Sequence, residues 1–154
     1  MTQSHKYMDM KQAQVRNVLT FIGETQDEPV KQAVFGQLGR ECFQASHIPD
    51  WIAGFEGDVD ALIDWVNVQQ ASQHWEKLVF NADRTVLTLT GREVRGCVCA
   101  FADCARPPQA LCHICCKVFQ QEMFGALVGQ EVEVTITEGF LLGDARCSTS
   151  IRIK

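Results

Sequence analysis

The sequence has no segment that would place it in a membrane or on a secretory route. No stretch approaches the roughly 18 apolar residues that a membrane-spanning helix requires. The N-terminal segment MTQSHKYMDMKQAQVRNVLTF has neither the continuous apolar run nor the small-residue cleavage site of a secretory signal. We therefore predict a cytoplasmic protein without a membrane partner.

Positive charge is also scarce. The chain has 14 Lys and Arg against 19 Asp and Glu, a formal net charge of −5, and neither half carries a basic excess. Sequence-independent nucleic-acid binding depends on Lys and Arg side chains that neutralise phosphates. We therefore predict no nucleic-acid partner.

Familiar catalytic motifs are missing as well. The sequence contains no G-x-S-x-G, no phosphate-binding glycine loop and no paired-carboxylate motif. Structural disulfides are not needed, because 154 residues with 46% hydrophobic content can bury an ordinary core, and cytosolic reductants keep thiols reduced. The eight cysteines are therefore left for metal binding, catalysis or core packing.

Apolar residues in the first half of the chain recur at helical spacing and predict three helices. The three stripes are Val15, Val18, Leu19 and Ile22; Val30, Val34, Leu38 and Cys42; and Val59, Leu62, Ile63 and Val66. Pro29 and Asp58 suit the starts of the second and third helices. The segment SHIPDWIAGFEG between them is predicted to be a loop, either a lid or a packed connector.

After residue 75 the apolar period becomes two, which predicts strands. The predicted strands are EKLVFN, RTVLTLTG, EVRGCVCAF and the segments 132–136 and 145–153. Pro107-Pro108 opens a predicted helix of about twenty residues that ends near Gly129. The pattern predicts one α+β domain over residues 1–154. Its N-terminal helices and one long helix of the C-terminal half pack on a roughly five-stranded antiparallel sheet.

The most unusual segment is CVCAFADCARPPQALCHICC, residues 97–116, which holds six of the eight cysteines and a histidine. On a strand, Cys97 and Cys99 would point to one face, roughly 7 Å apart. On the following helix, Cys112 and Cys116 would form an i, i+4 pair. A knuckle in the chain would instead pair Cys112 with Cys115.

This spacing predicts thiol chemistry without specifying which kind. Soft thiolates favour Zn²⁺, Cu(I) or an iron–sulfur cluster, and a closed tetrahedral sulfur site most often holds zinc. The predicted metal ligands are Cys97, Cys99, Cys112, Cys115 and Cys116, and zinc is the expected metal.

Core packing is the competing explanation, because free cysteine packs like a small hydrophobic residue. We expect it for Cys42, which continues a helical stripe, and favour it for Cys147, on the apolar face of its strand. Cys104 is left open between core and site. The aromatic residues Trp51, Phe55, Trp65 and Trp75 are expected in a helix–sheet core, with a pocket lining as the alternative.

The C-terminal third, LCHICCKVFQQEMFGALVGQEVEVTITEGFLLGDARCSTSIRI, resembles the end of the 4-vinyl-reductase-like, hydrocarbon-binding domains and of the related aminothiazoline-carboxylate hydrolase-like families. The shared features are a cysteine-bearing helix, a V-E-V strand, a Gly-Asp hairpin and a final strand that begins with cysteine. GCVCAF also looks like the cysteine-bearing strand of some members. The resemblance covers residues 97–154 and hardly touches residues 1–75.

The resemblance implies a mixed α+β fold with an apolar pocket between helices and sheet. In the sensor members a zinc ion is held by cysteines of the long helix and the final hairpin, which here would be Cys112 or Cys116 with Cys147. One further hairpin cysteine of the sensors is replaced here by Gly139. The missing ligand would then have to come from Cys97 or Cys99.

Three functions follow from these observations. The leading one is a cytoplasmic domain that binds a small apolar or aromatic molecule beside a thiolate-held zinc ion. The second is a cysteine-dependent hydrolase of a small heterocycle, with Cys112 as nucleophile. His113 would be its nearest base in sequence, although it points about 100° away on a helix. The third is a thiol redox or soft-metal-handling protein. The oligomeric state is open, with a homodimer among the alternatives.

Overall fold

Five α-helices and a four-stranded antiparallel sheet make up the regular structure of the described part of the chain. The computed structural model describes residues 3–55, 57–69, 74–93, 97, 99–102 and 106–154, with the backbone alone for residues 3–10. The helices are α1 (Gln3–Thr25), α2 (Glu28–Ala45), α3 (Ile48–Ala53), α4 (Val59–Asn67) and α5 (Lys117–Val128). The strands are β1 (Trp75–Phe80), β2 (Val86–Gly91), β3 (Val132–Glu138) and β4 (Ser148–Ile153).

The helix starts follow from local capping. The carboxylate of Asp27 accepts a hydrogen bond from the Val30 N–H at the start of α2 (3.2 Å), and Asp58 accepts one from the Ala61 N–H at the start of α4 (3.0 Å). Each carboxylate satisfies an amide that has no partner within its helix. The predicted role of Asp58 is confirmed, and Pro29 lies in the first turn of α2 as expected.

The sheet has the strand order β1-β2-β4-β3, and all neighbouring strands are antiparallel. Its alternating residues bury one face under the helices and leave polar residues such as Glu133 and Arg152 exposed on the other. The buried face meets α4 and α5 in the main core, whose fully buried members include Leu78, Val134, Ile151, Val66 and Phe124.

The α+β class is confirmed, but the sheet is smaller than predicted. Strand β2 ends at Gly91, and none of residues 97 and 99–102 belongs to a strand. Residues Ala100–Ala102 form a 3₁₀ turn instead. The predicted strand EVRGCVCAF is therefore wrong over its described C-terminal part, while residues 94–96 and 98 lie outside the described residues. A short alternation of apolar residues cannot distinguish a strand from a buried connection.

The segment predicted to be a loop before α4 contains α3. Its aromatic residues are packed: the ring centroids of Trp51 and Trp65 are 5.4 Å apart, and those of Trp51 and Trp75 are 5.8 Å apart, both edge to face. Trp75 also stacks on Phe124 at 6.2 Å. These rings join the main core, so the segment is a packed connector and the expected core role of the aromatic residues is confirmed.

A second, smaller core joins α1 and α2 to the cysteine-rich segment. Its buried members include Leu19, Phe35, Leu111, Ile114 and Cys115, and both Cys97 and Cys99 pack against it. Cys97, Cys99 and Cys115 therefore lie at this end of the molecule, close to the two N-terminal helices and the start of the long helix.

Candidate thiol site

The predicted long helix begins with a π-helical segment, Leu111–Cys116, which continues into α5 and ends at Gly129 in the left-handed conformation (φ 66°). The two prolines before it lack N–H groups. Cys112 and His113 both donate their N–H groups to the carbonyl oxygen of Gln109, at 2.8 and 3.2 Å. Helical π segments are uncommon and occur frequently at functional sites. This one (hereafter the π segment) carries Cys112, Cys115 and Cys116.

The π segment turns its cysteines and its histidine in different directions. Cys112 and Cys115 are buried, with 7% and 4% of their surface exposed, and Cys116 is half-buried. His113 is exposed and lines a surface cleft together with Arg106 and Pro108. The histidine therefore lies on the solvent side of the segment, while the thiols face the interior.

Cys112 contacts the loop between β3 and β4. A Cβ atom on Gly139 would collide with the Cys112 sulfur. The Leu141 N–H donates a hydrogen bond to the same sulfur, which opposes a raised pKa. Burial dominates, and together with the thiols of Cys116, Cys147 and Cys97 it raises the pKa of Cys112 to about 12.

Cys116 belongs to a buried polar network. The Gln120 side-chain amide donates to the Cys116 sulfur at 3.3 Å, and the amide oxygen accepts from the Thr149 hydroxyl at 2.7 Å. Gln120 and Thr149 are 9% and 1% exposed. Burial raises the pKa of Cys116 to about 11 despite the hydrogen bond from Gln120, and the thiols of Cys147, Cys97 and Cys99 act in the same direction.

Four thiols from three parts of the chain thus lie within electrostatic range of one another. They are Cys112 and Cys116 of the π segment, Cys97 of the preceding connection, and Cys147 immediately before β4. We call them the first thiol group. Burial also raises the pKa of Cys97, while the backbone N–H of Cys99 donates to its sulfur and opposes the shift.

Three other thiols meet on the α2 side of the π segment. Cys115 donates a hydrogen bond to the sulfur of Cys42, and Cys99 lies within electrostatic range of both. We call Cys42, Cys99 and Cys115 the second thiol group. Burial is the largest cause of the raised pKa of Cys115 and of Cys42.

The sequence grouped most of these cysteines but did not show that they fall into two groups, and their role as metal ligands stays a prediction. The described members of the predicted ligand set all lie in one or other group. Cys97 and Cys99 lie in a connecting segment, whereas we expected them on a common strand face. Cys42 and Cys147, which we expected in the core, are next to these thiols. Sequence periodicity could not show this, because it describes one helix or strand at a time. Cys104 lies outside the described residues.

The arrangement is not a preformed metal cage. Among the described residues, no three His, Cys, Asp or Glu side chains converge closely enough to hold one metal ion as they stand. A groove of about 510 Å³ beside Arg40 and Phe43 and a cleft of about 280 Å³ beside His113 are both lined by residues other than cysteine. In the part of the chain that is described, no helix is both long and apolar enough to cross a membrane.

Glu138 lies at the end of β3. One of its carboxylate oxygens accepts a hydrogen bond from the Ser148 hydroxyl at 2.5 Å. Ser148 directly follows Cys147 in the sequence. The carboxylate is therefore tied to β4 near the first thiol group.

No known protein family matches the sequence, and no curated protein matches it. Two solved structures are similar in fold. The phenol-responsive sensory domain of the transcription activator PoxR, solved with phenol, has a TM-score of 0.52 and 8% identity, over 92% of this chain and 74% of that one. A trafficking protein particle complex subunit 3 from Naegleria fowleri, covalently bound to palmitic acid, has a TM-score of 0.54 and 15% identity, over 96% and 93%.

These likenesses establish a shared α+β fold and nothing finer. The fold is compatible with the one that the resemblance to 4-vinyl-reductase-like domains implies. Membership of that family stays a prediction.

Proposed function

We propose that this domain binds a small apolar or aromatic molecule, with the first thiol group beside the ligand holding a thiophilic metal ion, zinc first. The observation that carries the proposal is that Cys97, Cys112, Cys116 and Cys147, from three parts of the chain, lie within electrostatic range of one another. The fold adds support for the ligand, because the two similar structures hold a phenol and a fatty acid.

The chemistry of the first thiol group suits a soft cation. Burial, followed by repulsion between neighbouring thiolates, raises the pKa values of Cys97, Cys112 and Cys116, and a bound cation would reverse both effects by compensating the thiolate charges. Four thiolates around zinc at about 2.3 Å form the usual closed structural site. Because the thiols do not converge as they stand, binding would require side-chain rotation.

The metal half is tested by native mass spectrometry and elemental analysis of untagged protein. We expect one zinc ion per chain, lost in Cys116→Ser and kept in Cys42→Ser, since Cys42 lies outside the first thiol group. A folded, metal-free wild-type protein whose stability does not respond to added zinc would reject this half. Visible absorbance would instead indicate an iron–sulfur cluster.

The ligand half is tested separately with phenol and palmitic acid as probes. Binding to the folded state raises the free energy of unfolding with the logarithm of one plus the ratio of ligand concentration to dissociation constant, so the unfolding midpoint rises as ligand is added. We expect a concentration-dependent rise with at least one probe, and its absence with both would reject this ligand class. Metal analysis of the same sample shows whether ligand binding depends on the bound metal.

The hydrolase alternative has weaker support. An activated nucleophile needs a depressed thiol pKa and a base within hydrogen-bond reach. Cys112 has its pKa raised to about 12, and His113 is exposed while Cys112 is buried. Thiol labelling against pH decides this alternative, since a cysteine that titrates below about pH 7.5 would restore it.

A further inference from the structure

The hydrogen-bonded thiols of Cys42 and Cys115 are not used by the metal and ligand functions proposed above. They come from different helical elements, α2 and the π segment, and their sulfurs are hydrogen-bonded to each other. Two neighbouring cysteines on adjacent elements are a starting arrangement for a disulfide, provided that the backbones are also close.

The backbones are close at this point. A Cβ atom on Gly39 would collide with the carbonyl oxygen of Cys115, so α2 and the π segment meet with no side chain between them. Cys42 lies one turn after Gly39 on the same side of α2. The glycine thus brings the two thiol-bearing elements together.

The two thiols also differ in access. Cys42 is partly exposed, whereas Cys115 is 4% exposed and donates its hydrogen to the Cys42 sulfur. A molecule from solution therefore reaches Cys42 first, with Cys115 behind it.

We propose that Cys42 and Cys115 are a redox-active dithiol that closes into a disulfide between α2 and the π segment, with a low-molecular-weight disulfide such as oxidised glutathione as oxidant. The Cys42 thiolate attacks one sulfur of oxidised glutathione, forms a mixed disulfide and releases one glutathione thiolate. The Cys115 thiol then loses its proton, and its thiolate attacks the Cys42 sulfur of the mixed disulfide and expels the second glutathione thiolate. The two released glutathione thiolates take up the two protons that Cys42 and Cys115 have lost. Two protein thiols are oxidised by two electrons in total, and one oxidised glutathione is reduced to two thiols.

The experiment treats the native chain with oxidised glutathione, alkylates the remaining thiols and maps the linked peptides. We expect one internal disulfide, between Cys42 and Cys115, which appears as the loss of two hydrogen atoms in the intact mass and is reversed by dithiothreitol. The cross-link should raise the thermal midpoint by on the order of 10 °C, because it restricts a long loop in the unfolded chain.

Three variants separate this reaction from general thiol oxidation. Cys42→Ser should form no internal disulfide, Cys115→Ser should accumulate glutathione on Cys42, and Cys147→Ser, a change within the first thiol group, should still form the Cys42–Cys115 disulfide. If Cys115→Ser does not fold, Cys115→Ala serves the same purpose. Links between other cysteines, or a native protein whose thiols stay reduced while the unfolded chain oxidises, would overturn the proposal. Metal analysis of the same samples keeps this result distinct from the fate of the zinc hypothesis.

Discussion

The sulfur of Cys112 occupies the space that a side chain at Gly139 would need. Gly139 has an extended backbone (φ −147°, ψ 131°) that any residue can adopt, so the limitation is space and not conformation. In the sensor domains that the C-terminal third resembles, a cysteine stands at the position of Gly139. The loop between β3 and β4 therefore packs against Cys112 of the first thiol group. A substitution at Gly139 tests this contact.

We expect Gly139→Ala to lower the free energy of unfolding by about 1–3 kcal/mol, the usual cost of forcing a methyl group into a packed site. Urea unfolding measures the loss. The control is the same substitution in a Cys112→Ala background, where the sulfur is gone and the penalty should largely disappear. An equal loss in both backgrounds would show that Cys112 is not what the new methyl group meets.

The contact between α2 and the π segment gives a second prediction with a matched control in the same helix. Gly39→Ala would place a Cβ against the Cys115 carbonyl oxygen, which belongs to the backbone and cannot rotate away. At Gly36 the nearest atom is a Val118 methyl at 4.0 Å, an ordinary contact. We expect Gly39→Ala to destabilise by more than about 2 kcal/mol and Gly36→Ala to be neutral or stabilising, because alanine favours helix by up to about 1 kcal/mol.

Urea unfolding of the two variants distinguishes packing from propensity. Similar stabilities for Gly36→Ala and Gly39→Ala would mean that α2 does not approach the π segment as closely as this structure has it. The Gly39 variant should also slow the Cys42–Cys115 cross-link, since the two elements would be pushed apart.

How far the sequence determines this molecule can be judged from these positions. Regular amphipathic segments were predictable: the stripe of Val59, Leu62 and Val66 forms α4, and the alternation in 132–136 forms β3. Such patterns depend only on which residues of one segment share a face. The class of fold follows from them because only a few arrangements bury these faces.

The division of the thiols could not be predicted in the same way. Whether Cys42 meets Cys115, or Cys147 meets Cys112, depends on where α2 and β4 pack against the π segment. Gly39, Gly91 and Gly139 permit these approaches, and each would place a Cβ against a cysteine atom. The presence of a glycine in a sequence does not show which other segment packs against it. The π segment was missed for a related reason, because no pattern of LCHICC distinguishes it from an ordinary α-helical turn.

The network of Cys116, Gln120 and Thr149 supplies a third prediction. Thr149→Val removes the hydroxyl that donates to the Gln120 amide oxygen and leaves that oxygen buried without its partner. We expect a loss of about 1–3 kcal/mol in the free energy of unfolding, the usual cost of an unsatisfied buried polar group.

Combining Thr149→Val with Gln120→Leu tests whether the two side chains act as a unit. The double variant should lose clearly less than the sum of the two single losses, because both members of the hydrogen bond are then replaced by apolar groups. Additive losses in urea unfolding would contradict the coupling.

The raised thiol pKa values make stability depend on pH in a defined direction. Cys112 and Cys116 titrate at about 12 and 11 in the folded chain, whereas an unfolded thiol titrates near its ordinary value of about 8.5–9. Above that ordinary value the unfolded state loses protons that the folded state retains, so the folded state is progressively disfavoured. In reduced, metal-free protein we expect stability to be unaffected by these thiols below about pH 8.5. Between about pH 9 and 11 it should fall by up to about 1.4 kcal/mol per pH unit for each thiol. Urea unfolding across this range measures the slope, which should be shallower in Cys112→Ala. The same slope in wild type and variant would show that burial of Cys112 does not hold its proton.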